Sequence, residues 1–172
     1  ARKFLAEPRF KGLTLAADNS PRSVTVSGTT DAIAAVPGAM KKHRIAARRL
    51  NLAYPFHSDL IEPIHKPLID ALATLQARPE RLPFFSTVVG KALPGTSLDA
   101  EYWWLNVRNP VLFRQAIEAA AEAGGKVFIE IGASSVLKNY IVDSIAGINK
   151  TGAFVNSLEQ SDKETSDIFG LI

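Results

Sequence analysis

The chain has 172 residues, 47% of them hydrophobic, and 20 Lys and Arg against 17 Asp and Glu give a formal charge of +3. That is enough chain to bury a core in one domain, or in a small domain plus part of another, while so small a positive excess gives no electrostatic footprint for nucleic acid. No run approaches the roughly 20 apolar residues of a membrane span, and the absence of cysteine excludes disulfides and thiolate metal sites and fits a reducing, cytoplasmic setting.

The opening residues, Ala1 to Pro8, hold neither the apolar stretch of a signal peptide nor an initiator methionine, so translation is expected to start elsewhere. Residues 1–10 read as the end of a helix already under way. Residues 13–17 and 23–27 read as strands joined by the turn-forming run Asp18-Asn19-Ser20-Pro21-Arg22. Thr29 or Thr30 can cap a helix with Ile33, Val36 and Met40 at helical spacing, and Pro37-Gly38 predicts a kink or break in it. Residues 45–52 are expected to be a strand crowded with arginine. The cations Lys41, Lys42, Arg44, Arg48 and Arg49 lie within nine positions. They suit either a solvated helix end or a basic rim that meets an acidic partner.

Beyond His57, apolar Ile61, Ile64, Leu68, Leu72 and Leu75 form one helical stripe, with Ser58 or Asp59 as cap and an irregular start at Pro63 and Pro67. Residues 84–89 suit a strand buried on both faces. A short helix is expected to end in Tyr102-Trp103-Trp104, a cluster better suited to packing than to ligand stacking. Asn109-Pro110 breaks the chain before a second helix that Gly124-Gly125 stops. Residues 126–132 form a strand, Ser134 or Ser135 caps a helix over 136–145, and 151–155 form a last strand. Strand and helix alternate beyond residue 52, as in a layered α/β domain.

Tyr54-Pro55-Phe56-His57-Ser58 carries the chemistry. Imidazole titrates near neutrality, so a histidine at the mouth of a helix is a candidate general base. A lone histidine is more often structural, and no serine here sits in a Gly-x-Ser-x-Gly elbow. Ser58 reads as a helix cap rather than a nucleophile. His43 and His65 read as surface residues, and the three histidines form no metal-ligand pattern. The turn Gly132-Ala133-Ser134-Ser135 could cradle an anion at a helix N-terminus.

These residues resemble the acyltransferase domain of modular polyketide synthases, a relative of the malonyl-CoA:acyl-carrier-protein transacylases. Ala16-Ala17-Asp18-Asn19-Ser20-Pro21 with Val24-Thr25-Val26-Ser27-Gly28 looks like a segment of that family's small subdomain. Tyr54-Pro55-Phe56-His57-Ser58 looks like its histidine motif. Tyr102-Trp103-Trp104-Leu105-Asn106 through Asn109-Pro110-Val111-Leu112-Phe113, and Phe128-Ile129-Glu130-Ile131-Gly132, look like two later signatures.

The resemblance implies an α/β fold with two parts. One is an incomplete ferredoxin-like small subdomain over residues 1–53, and the other is part of an α/β-hydrolase-like large subdomain over 54–156, with a linker or tail over 157–172. It implies transfer of an acyl group from coenzyme A, through an acyl-serine, to the phosphopantetheine thiol of an acyl carrier protein. His57 would be the base, and Asn106 would orient its ring through a backbone carbonyl. Tyr54, Phe56 and Asn19 would meet substrate. Phe56 is bulky and favours malonyl-type groups over α-branched ones, although Tyr54-Pro55-Phe56-His57 departs from the family's usual motifs. Ala133-Ser134-Ser135 likewise replaces a Pro-His-Pro common in the family.

No bound cofactor or metal is implied, acyl-CoA being the substrate, and neither nucleic acid nor membrane is an expected partner. The nucleophile, the oxyanion hole and the carboxylate-gripping arginine would lie upstream of Ala1, making the upstream part of the domain a partner. A hydrolase acting on acyl-carrier thioesters, or a non-catalytic docking piece of a synthase, are the alternatives.

Overall fold

A computed structural model describes residues 2–5, 7–50, 52 and 54–157. After a short helix, α1 (Arg2–Leu5), strands β1 (Leu13–Ser20) and β2 (Ser23–Gly28) form an antiparallel hairpin, with register running from Leu13 opposite Gly28 to Ser20 opposite Ser23. The strand outlasts its expected end because its polar residues find partners. Asn19 Nδ2 donates to Thr25 Oγ1 at 3.0 Å across the hairpin, and the Asp18 carboxylate accepts from Arg114 and Gln115. Only Pro21-Arg22 remains as the turn.

Helix α2 (Thr30–Lys41) is capped by Thr29, whose side chain accepts the Ala32 N–H. It runs unbroken through Pro37, contrary to the expected break. Pro37 is exposed, so the helix loses one hydrogen bond where water can satisfy the freed carbonyl. No strand follows. Residues 45–50 and 52 are irregular and exposed, and pair with no ladder among the described residues.

The expected long helix is a 3-10 turn, Asp59–Ile64, followed by α3 (His65–Ala71). Proline explains the break in regularity, since Pro63 lies inside the turn and Pro67 in the first turn of α3. The apolar stripe is therefore split, and only Ile61 of it is buried.

In place of a strand over 84–89 there is a two-residue hairpin of β3 (Phe85–Ser86) and β4 (Lys91–Ala92). The fully buried Ser86 turns the chain there. Its hydroxyl accepts Val88 N–H at 3.0 Å and shares a 2.9 Å hydrogen bond with Tyr102.

Helix α4 (Ala100–Arg108) is capped by Asp99, which accepts Tyr102 N–H at 2.8 Å. It continues one turn past Trp104, further than expected. Tyr102 and Trp104 face inward and Trp103 outward. Helix α5 (Phe113–Glu122) ends at Gly124, whose φ of 101° suits glycine. Strands β5 (Val127–Glu130) and β6 (Ala153–Asn156) pair in parallel, with α6 (Lys138–Gly147) between them in sequence. Ala121, Ile141 and Ile145 form a core under Phe113, Ile117, Phe128 and Phe154.

Neither Ser134 nor Ser135 caps α6. The carboxylate of Glu130 accepts Val136 N–H at 3.0 Å and Leu137 N–H at 3.2 Å, and Ser135 Oγ also donates to it. The anion that this turn can cradle is therefore the protein's own. The tail from residue 158 lies outside the described residues.

The Glu130 cap predicts that Glu130→Ala lowers the unfolding free energy by about 1 kcal/mol in urea denaturation, because two amides at the helix start lose the acceptor that the buried Glu130 provides. Ser135→Ala, at an exposed position, should change it by no more than about 0.5 kcal/mol. Equal losses from the two substitutions would contradict this cap.

Candidate active site

The site begins with a helix end. Pro110 has no N–H, so the carbonyl of Asn106, four residues earlier, has no partner from the helix ladder. Asn109 N–H closes the last turn on Leu105 O at 2.8 Å, and Asn109 itself is extended, at φ −82° and ψ 159°. The chain leaves the helix there and turns the Asn109 carbonyl outward.

His57 takes up two of the carbonyls at this end. Its backbone N–H donates to Val107 O at 3.0 Å, and its Nδ1 lies 2.7 Å from Asn109 O. A carbonyl oxygen only accepts, so Nδ1 carries the proton and Nε2 of the neutral ring is left with its lone pair. The orienting group is thus the Asn109 carbonyl and not that of Asn106. Asn106 lies inside α4, where carbonyls run along the helix axis, whereas Asn109 lies past its end.

The backbone of His57 is in the left-handed region at φ 59°, a conformation that non-glycine residues hold only when their surroundings impose it. Besides the two α4 contacts, Thr14 of β1 places its hydroxyl 3.3 Å from His57 O and 3.4 Å from Ser27 O.

Tyr54 and Phe56 precede the histidine, and the Phe56 ring lies beside the imidazole. Their rings stack at 5.6 Å with 29° between planes, and the Phe56 ring centroid is 6.5 Å from that of His57. Both are exposed, Tyr54 to 69% and Phe56 to 46%, so this aromatic wall is available to a ligand. The Asn19 amide donates to Thr25 across the hairpin and makes no hydrogen bond to His57.

Ser58 is a cap. Its hydroxyl donates to Pro55 O at 2.6 Å and accepts Leu60 N–H at 3.3 Å, and the residue is 2% exposed. His43 meets Phe4 edge-on at 4.8 Å. His65 is less superficial than expected, since it stacks on buried Trp104 at 4.5 Å with Nε2 3.7 Å from Glu101. Among the described residues no group of three or more His, Asp or Glu could hold a metal ion.

Away from the histidine, Arg114 Nη2 donates to Asp18 at 2.9 Å and Nη1 to Glu118 at 3.3 Å. The hydrogen bond to Asp18 above all raises the Arg114 guanidinium above its usual range. This pair is an anchor between β1 and α5, with no part in proton transfer.

Three positions around His57 escape motif reading: Thr14, Val107 and Asn109. Only Asn109 carried a signal, in the proline that follows it.

Residues 4–169 match the family model described as the acyl transferase domain. Among curated relatives, polyketide synthase GfsA of Streptomyces halstedii is 37% identical over 147 residues, which is 85% of this chain and 2% of that protein. The mycoketide-CoA synthase of Mycobacterium tuberculosis is 40% identical over 130 residues, 76% of this chain and 3% of that protein. Among solved structures, the acyltransferase domain from module 8 of the salinomycin polyketide synthase superposes with a TM-score of 0.90 at 31% identity, covering 99% of this chain and 40% of that one. The malonyl CoA-acyl carrier protein transacylase from Clostridium perfringens gives 0.74 at 29% identity, covering 84% and 45%. The chain therefore spans a few per cent of these curated relatives and less than half of these two solved structures.

A capping role for Ser58 predicts that Ser58→Ala lowers stability by about 1 kcal/mol and that a serine-directed acylating reagent leaves the Ser58 peptide unlabelled by mass mapping. An acyl adduct on Ser58 would overturn the assignment.

Proposed function

Because this chain belongs to the acyl transferase domain family, we propose that it supplies the catalytic histidine of an acyltransferase that moves an acyl group from coenzyme A to the phosphopantetheine thiol of an acyl carrier protein. The observation that carries this reading is the 2.7 Å hydrogen bond from His57 Nδ1 to the Asn109 carbonyl, which leaves Nε2 free to accept a proton. A neutral carbonyl serves where many hydrolases place a carboxylate, because one acceptor is enough to fix tautomer and orientation.

In the proposed chemistry, Nε2 takes the proton of a serine hydroxyl as its oxygen attacks the thioester carbonyl. The imidazolium then returns the proton to the departing coenzyme A thiolate. The carrier thiol repeats the cycle in reverse sense, giving up its proton to Nε2 as its sulfur attacks the acyl-serine, and the serine oxygen recovers a proton as it leaves. A base that titrates near the working pH serves both halves. The serine itself is proposed to come from the part of the domain outside these residues, Ser58 being committed to its cap.

The finer assignments rest on local features. Tyr54 and Phe56 are proposed to line the acyl pocket, and the bulk of Phe56 beside the imidazole favours malonyl-type groups over α-branched ones. The exposed cations Lys41, Lys42, Arg44, Arg48 and Arg49 precede the histidine by few residues and suit an acidic carrier protein. A division near residue 53 into small and large subdomains agrees with the irregular, exposed segment there. Asn19 is proposed to have a supporting role in substrate binding, its amide held by Thr25 Oγ1. No helix among the described residues is long and apolar enough to cross a membrane.

The test is denaturing intact-mass analysis of the intact acyltransferase containing this chain, after incubation with malonyl-, methylmalonyl- or acetyl-CoA. One acyl mass should be gained, most rapidly from malonyl-CoA, and His57→Ala should slow the gain by about 10³-fold. Acylation that survives the substitution unchanged would remove His57 from the mechanism.

A further inference from the structure

Arg108 closes α4 and lies between the two residues whose carbonyls hold His57. Its Nη2 donates to the Asp59 carboxylate, and its Nε donates to Glu62 Oε1 at 2.5 Å. Both carboxylates belong to the 3-10 turn that starts two residues after the histidine. The Arg108 side chain as a whole is 22% exposed, and both acidic side chains reach solvent.

A single exposed ion pair holds little and is screened by salt. One planar guanidinium on two carboxylates differs, because its fork fixes orientation as well as attraction. Two segments are thereby joined at three successive points. Val107 O takes the His57 N–H, Arg108 takes Asp59 and Glu62, and Asn109 O takes the imidazole. The left-handed backbone of His57 persists only where contacts on both sides impose it. The contacts after the histidine are those of the turn that Arg108 grips.

We propose that Arg108 is a positioning residue for His57: by gripping Asp59 and Glu62 it holds the histidine's segment against the end of α4, so that Nδ1 stays on Asn109 O and Nε2 stays open. The catalytic consequence rests on the acyl-transfer reading of His57, whereas the effect on the ring does not.

The experiment uses the intact acyltransferase containing this chain, labelled with ¹⁵N-histidine. Long-range ¹H–¹⁵N correlation reads the His57 tautomer, assigned by its loss in His57→Gln, and steady-state acyl transfer is measured alongside. Wild type should show the Nδ1–H tautomer. Arg108→Gln should mix in the Nε2–H form and lower kcat about tenfold, with KM for the acyl donor within about twofold.

Arg108→Lys keeps the charge without the fork and should fall between wild type and Arg108→Gln. The double substitution Asp59→Asn with Glu62→Gln should match Arg108→Gln, and adding Arg108→Gln to it should cost nothing more. The double variant also keeps the test open if Arg108→Gln fails to fold. Lys66→Ala, which breaks the exposed Lys66–Asp70 pair on α3, should leave tautomer and kcat unchanged.

An unchanged tautomer and kcat in Arg108→Gln, with wild type active, would overturn the proposal. A tautomer shift in a protein whose wild type transfers no acyl group would uphold the positioning role and reject the acyl-transfer reading.

Discussion

The geometry at His57 depends on a missing hydrogen. Pro110 cannot donate to the carbonyl four residues before it, so α4 ends at Arg108 with its last carbonyls open. Open carbonyls at a helix end must find donors, and here the donors are the backbone and ring of one residue: His57 N–H on Val107, and Nδ1–H on Asn109. A helix running on to residue 113 would use these carbonyls internally, through the N–H groups of residues 111 and 113, and leave the imidazole without its acceptor. The partial negative charge at a helix C-terminus also favours a donor there, which reinforces the tautomer that the carbonyl selects.

The same segment serves β1. Val111 N–H donates to Ala16 O at 2.9 Å, and Asp18 N–H donates to Val111 O at 2.8 Å, so the residues just past the proline pair with the hairpin as a short parallel bridge. Thr14, two residues before Ala16 on β1, returns to the carbonyl of His57. The contacts close a ring: β1 to residue 111, residue 109 to the histidine, and the histidine back to β1. Ion pairing of Asp18 with Arg114 fastens β1 to α5, so the ring is braced by the packed part of the chain. A strained residue inside a closed ring cannot relax without breaking several contacts together, which is how a left-handed histidine persists.

Much of this was legible, and the parts that were not share a cause. The caps Thr29 and Ser58 and the stop at Gly124 follow from local residue chemistry, and the order strand, helix, strand over β5, α6 and β6 follows from the alternation of patterns. The strand expected over residues 45–52 failed because arginine-rich alternation fits an exposed loop as well as an edge strand, and only a partner decides between them. The caps expected of Ser134 and Ser135 failed because Glu130, four and five residues away in sequence, reaches the same amides with a full charge. The motif singled out His57 and its two aromatic neighbours. Its orienting carbonyl was misplaced by three residues, because side-chain motifs say nothing about which backbone carbonyl leaves a helix. Arg108 carried no signal of its own, and only the return of residues 59 and 62 to α4 reveals its contacts.

The sheet stands in a different position from the histidine. Val127 and Ile129 alternate along β5, with Ile131 just past its end, and are 59%, 56% and 88% exposed, so one face of the β5–β6 pair carries apolar side chains without cover among the described residues. Parallel sheets are ordinarily covered on both faces, and two strands alone bury too little to be stable. That agrees with a chain spanning 40% of the solved acyltransferase domain it superposes on. Yet the hydrogen bonds of His57 run to α4 and β1, and none passes through β5 or β6. Whatever covers the sheet can therefore complete the fold without having to create the histidine's orientation, to which the contacts of residues 14, 107 and 109 already contribute.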